Sequence, residues 1–206
     1  MKLYFSPASP YVRKVLVSAI ELDLEHRLER LSCAVHVIKR DSDVVAHNPL
    51  GQVPTLITDD GTVLHDSRVI CEYLDVIAGG GRLFPAAVAP RFRALAEQSI
   101  ADGLLDAAVL GRQEQTVRPQ EKFWEPWRNA QLAKITSVLD RLQMSSPAFN
   151  DRSDIGTIAT ACALSYLDFR FTDFDWRSGR ANLAEWFGSF SSRPSMVRSA
   201  LKERTS

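Results

Sequence analysis

The chain has 206 residues, 45% of them hydrophobic, and its 25 Lys and Arg balance 25 Asp and Glu. That length and apolar content suffice for one large domain or two small ones with proper cores. Zero net charge argues against a nucleic-acid binder: Lys39-Arg40 is the densest basic point of the first half, and two residues do not make a patch. The apolar runs fall far short of a membrane span, Ile158 to Leu164 being broken by Thr160. Met1-Lys2-Leu3-Tyr4-Phe5 lacks the apolar stretch of a signal peptide. The cysteines Cys33, Cys71 and Cys162 have no C-x-x-C spacing and form no disulfide framework. Cys71 and Cys162 lie in apolar helical contexts and are expected in the core, which fits a reducing cytoplasm.

In chain order, Lys2 to Phe5 reads as a short strand and Ser6-Pro7-Ala8-Ser9 as a loop. Ser9 followed by Pro10 is an N-cap followed by a favourable first helical residue, and Val12, Val15, Leu16, Ala19 and Ile20 repeat at helical spacing. Arg27 to Leu31 is expected as a second strand, whereas Ser32 to His47 is polar and carries no clear pattern. Pro54 to Thr58 and Thr62 to Leu64 flank the turn Asp59-Asp60-Gly61 and predict a hairpin. Ser67 to Ile77 is a helix. Gly79-Gly80-Gly81 and the residues after it read as a linker. Beyond it strand signals fade: Arg91 to Leu110, Trp127 to Leu142, Asp154 to Phe171 and Leu183 to Phe190 are helical runs, the last ended by Pro194. The pattern predicts an α+β first domain over 1–80, a linker over 81–88 and an all-helical second domain over 89–206.

The chemistry-bearing residues exclude several classes. His26, His36, His47 and His65 fall in no H-E-x-x-H and lie beside no cysteine at metal spacing, so no metal is expected. There is no G-x-S-x-G, P-loop or G-x-G-x-x-G to support hydrolase or nucleotide chemistry. Three segments stand out instead: S-P-A-S-P-Y-V-R-K-V from Ser6, N-P-L-G-Q-V-P-T-L from Asn48, and H-D-S-R-V-I-C-E-Y-L from His65.

In these three segments, in this order, the chain resembles the glutathione transferase superfamily, and most closely its bacterial serine-containing members. Ala101 to Ala107 (A-D-G-L-L-D-A) and Ala161 to Arg170 (A-C-A-L-S-Y-L-D-F-R) are similar to helical-domain segments of the same group. The resemblance implies a thioredoxin-like βαβαββα domain followed by a helical bundle, glutathione as co-substrate, a homodimer and a cytoplasmic detoxification role.

The resemblance assigns roles that simple chemistry supports. Glutathione must be held as a thiolate, and a helix N-terminus offers free N–H groups and a positive dipole end. Ser9 at that point would donate to sulfur and lower the thiol pKa, with Ser6 as the alternative. Val53-Pro54 matches the family's cis-proline signature, which would turn the Val53 N–H and C=O toward the cysteinyl backbone like an added strand. Asp66 and Ser67 would hold the γ-glutamyl amino and carboxylate groups. His36 and Lys39 are suggested for the glycyl carboxylate. Tyr11, Asp102, Asp106, Trp127, Tyr166 and Phe169 are candidates for the second-substrate pocket, although helical aromatics also serve as bundle core.

The chain departs from the family pattern at two points. Relatives carry a Ser/Thr-x-x-Asp capping box on a core helix, whereas Asp154 to Thr157 reads D-I-G-T, with acceptor and hydroxyl exchanged. No cysteine opens the first helix, which disfavours redox members that need that thiol. The expected activity is attack of the glutathione thiolate on a small hydrophobic electrophile. The same fold also hosts glutathione-dependent isomerases, lyases and peroxidases, and modules for interaction or regulation that have lost glutathione binding.

Overall fold

A computed structural model describes residues 1–203. The chain divides into two compact units: Met1–Arg91 together with the chain from Pro194 onward, and Phe92–Arg193. The first unit is built on a four-stranded sheet of order β2-β1-β3-β4, formed by β1 (Lys2–Phe5), β2 (Glu29–Ser32), β3 (Thr55–Ile57) and β4 (Val63–Leu64). β2 runs parallel to β1, as a crossover through a helix requires, while β3 is antiparallel to both β1 and β4. This is the expected mixed-sheet α+β architecture.

The crossover helix α1 (Pro10–Glu21) begins at Ser9, whose side chain accepts from the Val12 N–H. Proline at the first helical position gives up no needed hydrogen bond. The helix buries Val12, Val15, Leu16 and Ala19. The helix after β4, α3 (Ser67–Ile77), is capped by Asp66 and buries Ile70, Cys71 and Leu74, which recur at helical spacing. The segment that carried no pattern contains a one-and-a-half-turn helix, α2 (Ser42–His47), capped by the Asp41 carboxylate. It is too short to show periodicity, and its burial rests on Val44 alone.

The chain leaving α3 is tied down rather than loose. Gly79, Gly80 and Gly81 all have positive φ, a conformation glycine adopts without the Cβ penalty. They turn the backbone so that the buried Asp75 carboxylate accepts from the N–H groups of Gly81 at 2.9 Å and Leu83 at 2.8 Å, bringing Leu83 and Phe84 into the core. The first unit is completed by α8 (Pro194–Arg198), lying against α1. The buried Arg13 donates to the Met196 carbonyl at 2.9 Å, and Ser195 and Arg198 bond to Glu21 and Glu25. Pro194 thus ends one helix and opens another, which the sequence reading did not foresee.

The second unit is helical. It comprises α4 (Val88–Thr116) from Phe92 onward, α5 (Glu125–Ser145), α6 (Ile155–Arg170) and α7 (Ala181–Ser191). Every residue of α6 from Ile155 to Leu167 is buried. The helix is capped by Asp154, whose Oδ1 accepts from the N–H groups of Gly156 at 3.1 Å and Thr157 at 3.2 Å. The Thr157 hydroxyl donates back to the Asp154 carbonyl at 3.0 Å, so the exchanged D-I-G-T box still satisfies the helix end. Arg152 bridges Asp154 and Glu97 of α4. Burial alone would lower the Arg152 pKa, but hydrogen bonds to Glu97 and Asp154 hold it above its ordinary value.

Replacing Asp154 with alanine removes the cap and half of that bridge. We expect a loss of about 2 kcal/mol, the upper end for a cap, with no change in ligand binding by the first unit. Thermal melting beside a glutathione isotherm checks this; an unchanged melting temperature with weakened binding would place Asp154 in the wrong role.

Candidate functional site

The sheet register brings the three sequence segments to one place. Phe5, the last residue of β1, pairs with Ser32, the last of β2. Tyr4 pairs with Thr55, the first residue of β3, and Leu56 pairs with Leu64, the last of β4. The loop carrying Ser6 and Ser9, the loop of His36 and Lys39, the Val53-Pro54 dipeptide and the Asp66-Ser67 pair therefore all leave the same end of the sheet. Because β1 and β4 run in the same direction, α1 and α3 also run in the same direction, and both present their N-termini there.

Several hydrogen-bonding groups at this end are uncommitted. The Ser9 hydroxyl accepts from the Val12 N–H at 3.3 Å, but its proton has no acceptor among the described residues. A serine hydroxyl accepts and donates at once, so capping α1 leaves it able to donate to a ligand. The Val53–Pro54 peptide bond is cis. Among the described residues neither the Val53 N–H nor its C=O has a hydrogen-bond partner. Ser67 is 2% exposed at the first turn of α3, and its hydroxyl is likewise unpartnered among the described residues.

Asp66 caps α3 by accepting from the Arg68 N–H at 2.8 Å and pairs with the Arg68 guanidinium at 2.7 Å. Half of its side chain stays open to solvent. Partial burial pushes the Asp66 carboxyl up, but the Arg68 hydrogen bonds and the charges of Arg68 and Lys14 outweigh it, and the group lies below the usual carboxylate range. The His65–Asp66 bond preceding it is also cis. The sequence did not single out Arg68; a cation two residues after an acidic cap was the available signal.

The loop after β2 is organised by Asp41, which accepts from the Ala34 N–H at 2.6 Å as well as capping α2. Ala34, His36, Lys39, Arg40 and Asp41 line a groove here. His36 Nδ1 accepts from the Ile38 and Lys39 N–H groups, at 3.2 and 3.4 Å, and the residue is exposed. Tyr4, at the root of the sheet end, bonds through its hydroxyl to His47 Nδ1 at 3.1 Å. Burial, then the charges of Asp43 and Asp41, push the Tyr4 phenol up.

Of the proposed second-substrate residues, Tyr11 lies half-buried in the first turn of α1. Asp102, Asp106 and Tyr166 belong to the helical unit. Asp102 and Tyr166 are buried in α4 and α6, and Asp106 is exposed. Trp127 and Phe169 are half-buried. Burial pushes the Tyr166 phenol up against the opposing charges of Arg112 and Arg170. Among the described residues there is no cluster of His, Cys, Asp and Glu suited to a metal ion, and no helix is long and apolar enough to cross a membrane.

A mixed sheet with two parallel helix N-termini beside a cis-proline loop, followed by a helical unit, defines a protein of the glutathione transferase class. Residues 8–77 match the family model for the glutathione S-transferase N-terminal domain, and residues 125–189 match that for the C-terminal domain. The chain belongs to this family. It is 31% identical over 202 residues to the uncharacterized GST-like protein YibF of Escherichia coli K12, covering 96% of this chain and 97% of that protein. Among solved structures it is similar to a glutathione transferase family member from Pseudomonas fluorescens Pf-5 with bound glutathione, at 40% identity and TM-score 0.95 over 98% and 99% of the two chains. It is also similar to a glutathione S-transferase from Methylobacillus flagellatus KT with bound glutathione, at 33% identity and TM-score 0.86 over 98% and 99%.

Proposed function

We propose that this protein is a glutathione transferase that binds glutathione at the end of the sheet in the first unit and transfers its thiolate to small hydrophobic electrophiles. The observation that carries the reading is the set of uncommitted groups there: the Ser9 hydroxyl proton, both backbone groups of Val53 and the Ser67 hydroxyl. Donors and acceptors that the chain itself leaves unpaired, gathered at one end of the sheet, are available to a ligand. Each matches one part of glutathione. The thiolate sits at the N-terminus of α1, where Ser9 donates to it and the helix dipole favours the anion. Val53 pairs with the cysteinyl backbone in the manner of an added strand. The γ-glutamyl carboxylate takes the Ser67 hydroxyl and the α3 N–H groups, its amino group takes Asp66, and the glycyl carboxylate is assigned to the groove of His36 and Lys39.

The glutathione-bound relatives support this reading, and conjugation goes further than they do. The test pairs retention on immobilised glutathione with turnover of a standard chloronitrobenzene electrophile. Failure to bind would favour a non-catalytic protein of this fold. Binding without turnover, followed by activity on isomerase, lyase or peroxidase substrates, would replace conjugation with that reaction.

The two ends of glutathione should fail separately. Asp66→Ala and Ser67→Ala are expected to raise KM for glutathione by roughly tenfold each, with kcat little changed. They remove charge-assisted hydrogen bonds from a part of the substrate that does not react. Steady-state kinetics with glutathione varied checks this; a fall in kcat at constant KM would move these residues to the reacting centre. We further propose a cytoplasmic homodimer that handles electrophilic toxicants. Twofold contacts are the commonest closed association, and sedimentation at micromolar concentration that shows only a 23.0 kDa species would reject it.

A further inference from the structure

The loop between α2 and β3 carries Val53, and two buried side chains at the ends of that loop fix the direction of its N–H. Asn48, the C-cap of α2, is 1% exposed, and Thr55, the first residue of β3, is 0% exposed. The Asn48 amide donates to the Gln52 carbonyl at 3.2 Å and to the Thr55 hydroxyl oxygen at 2.9 Å. The Thr55 hydroxyl donates its own proton to the same Gln52 carbonyl at 2.8 Å. Both N–H bonds of the amide and the one O–H bond of the hydroxyl are thereby used. Two of the three converge on a single oxygen, which has two lone pairs to receive them.

The chain on the way to that oxygen is held as well. Asn48 Oδ1 accepts from the Leu50 N–H at 3.0 Å, and the Asn48 carbonyl accepts from the Gly51 N–H at 2.8 Å. Arg40 donates to the Pro49 carbonyl. Gly51 turns the chain at a φ of 63°, which glycine adopts without the Cβ penalty.

The Gln52 carbonyl and the Val53 N–H belong to one peptide unit. That unit is trans, the cis bonds among the described residues being Val53–Pro54 and His65–Asp66. In a planar trans unit the C=O and the N–H point in opposite directions. A carbonyl fixed toward two buried side chains therefore sets the Val53 N–H away from them, and it has no partner among the described residues. Turning the unit over would leave the Asn48 and Thr55 donors buried without their acceptor, which is strongly unfavourable.

We propose that Asn48 and Thr55 are positioning residues of the glutathione site: together they clamp the Gln52 carbonyl and so hold the Val53 N–H ready for the cysteinyl carbonyl of the ligand. The proposal rests on the glutathione reading of this site and adds to it the device that orients one of the binding groups in advance. Neither side chain touches the ligand; both act through one peptide plane. The ligand then meets a formed donor and does not have to order it on binding.

The test compares wild type with Thr55→Val, which keeps the branched shape suited to a strand but removes the hydroxyl, with Thr55→Ser, which restores the hydroxyl, and with Asn48→Ala. Melting curves establish that each variant is folded. Two readouts follow: glutathione affinity by calorimetry, and microsecond-to-millisecond exchange at the Val53 amide by NMR relaxation dispersion. For Thr55→Val we expect affinity to fall roughly fivefold, the size of one net hydrogen bond, because the competent orientation becomes only part of the population. The Val53 amide should exchange between two orientations in the ligand-free variant and stop doing so at saturating glutathione. Thr55→Ser should recover most of both changes. Asn48→Ala should act in the same direction, and the double variant should lose less than the two single losses combined, because both side chains act on one carbonyl. If Asn48→Ala does not fold, the two Thr55 variants decide the matter alone. Wild-type affinity in Thr55→Val, with only a lowered melting temperature, would overturn the proposal and leave the clamp as a loop fastening. Weakened affinity without exchange at Val53, or without recovery in Thr55→Ser, would overturn the route through the peptide plane. If wild type did not bind glutathione, the reading of the site would fall, and exchange at Val53 in ligand-free Thr55→Val would still decide whether the clamp holds that peptide.

Discussion

Ser9→Ala is expected to lower kcat for conjugation by roughly 10² to 10³, the range seen when one donor to a developing or resting anion is removed. KM for glutathione should move much less, because the γ-glutamyl and backbone contacts at Ser67, Asp66 and Val53 remain. The thiol pKa of bound glutathione should rise, since the hydroxyl favours only the charged form of sulfur. Some activity should persist: the α1 N-terminus keeps its dipole and its N–H groups. The substitution also removes the acceptor for the Val12 N–H at 3.3 Å. A cap of that kind contributes about 1 kcal/mol, so a modest drop in melting temperature is expected alongside. The two effects separate cleanly: a cap lowers stability, and a thiolate donor lowers turnover and shifts a pKa. If Ser9→Ala turned over at the wild-type rate with an unshifted thiol pKa, Ser9 would be only a cap, and Ser6, Tyr11 or a backbone N–H would be the donor.

Gly156→Ala is expected to be the most damaging single methyl in the helical unit. A Cβ at this position would lie 2.8 Å from the Ala94 carbonyl oxygen, 2.8 Å from Glu97 Cβ and 2.6 Å from Glu97 Oε2. The glutamate tip can swing away, but doing so breaks its bridge to Arg152 at 2.6 Å. The Ala94 carbonyl belongs to the backbone of α4 and moves only if the helix does. Overpacking of this kind costs about 1–3 kcal/mol, occasionally more, and the lost bridge adds to it, so a loss of about 3 kcal/mol is expected. Gly188 in α7 is the internal control, because nothing lies within 4 Å of a Cβ built there. Gly188→Ala should be neutral or stabilise by up to about 1 kcal/mol, as expected from helix propensity. Equal melting temperatures for the two variants would show that α4 and α6 do not approach this closely.

Local signals account for much of the architecture. The alternation of strand and helix in the first unit, the hairpin around Asp59-Asp60-Gly61 and the long helices of the second were legible because each is a run whose period or turn chemistry is written in neighbouring residues. The caps were equally readable: Ser9, Asp66 and Asp154 each stand one position before an apolar periodic run, and each accepts from N–H groups of the first turn. Where elements were short the reading failed. α2 has six residues and one buried side chain, and α8 has five. Neither is long enough to show a period, and each is stabilised by contacts distant in sequence or by a cap on an otherwise polar loop.

The candidate site divides in the same way. Which residue types carry the chemistry, and in what order, was present in the three segments around Ser9, Val53-Pro54 and Asp66-Ser67. That these segments meet was not: it depends on the pairing of Tyr4 with Thr55 and of Leu56 with Leu64, which sets three loop ends side by side. The full burial of Lys14 was also beyond the sequence. Sequence by itself determined what each segment prefers to be, because propensity, capping and periodicity act within a few residues. Only the tertiary structure decided which hydroxyls, backbone groups and charges are left without water and close together, because burial and electrostatic coupling depend on distances that strand register and helix packing set.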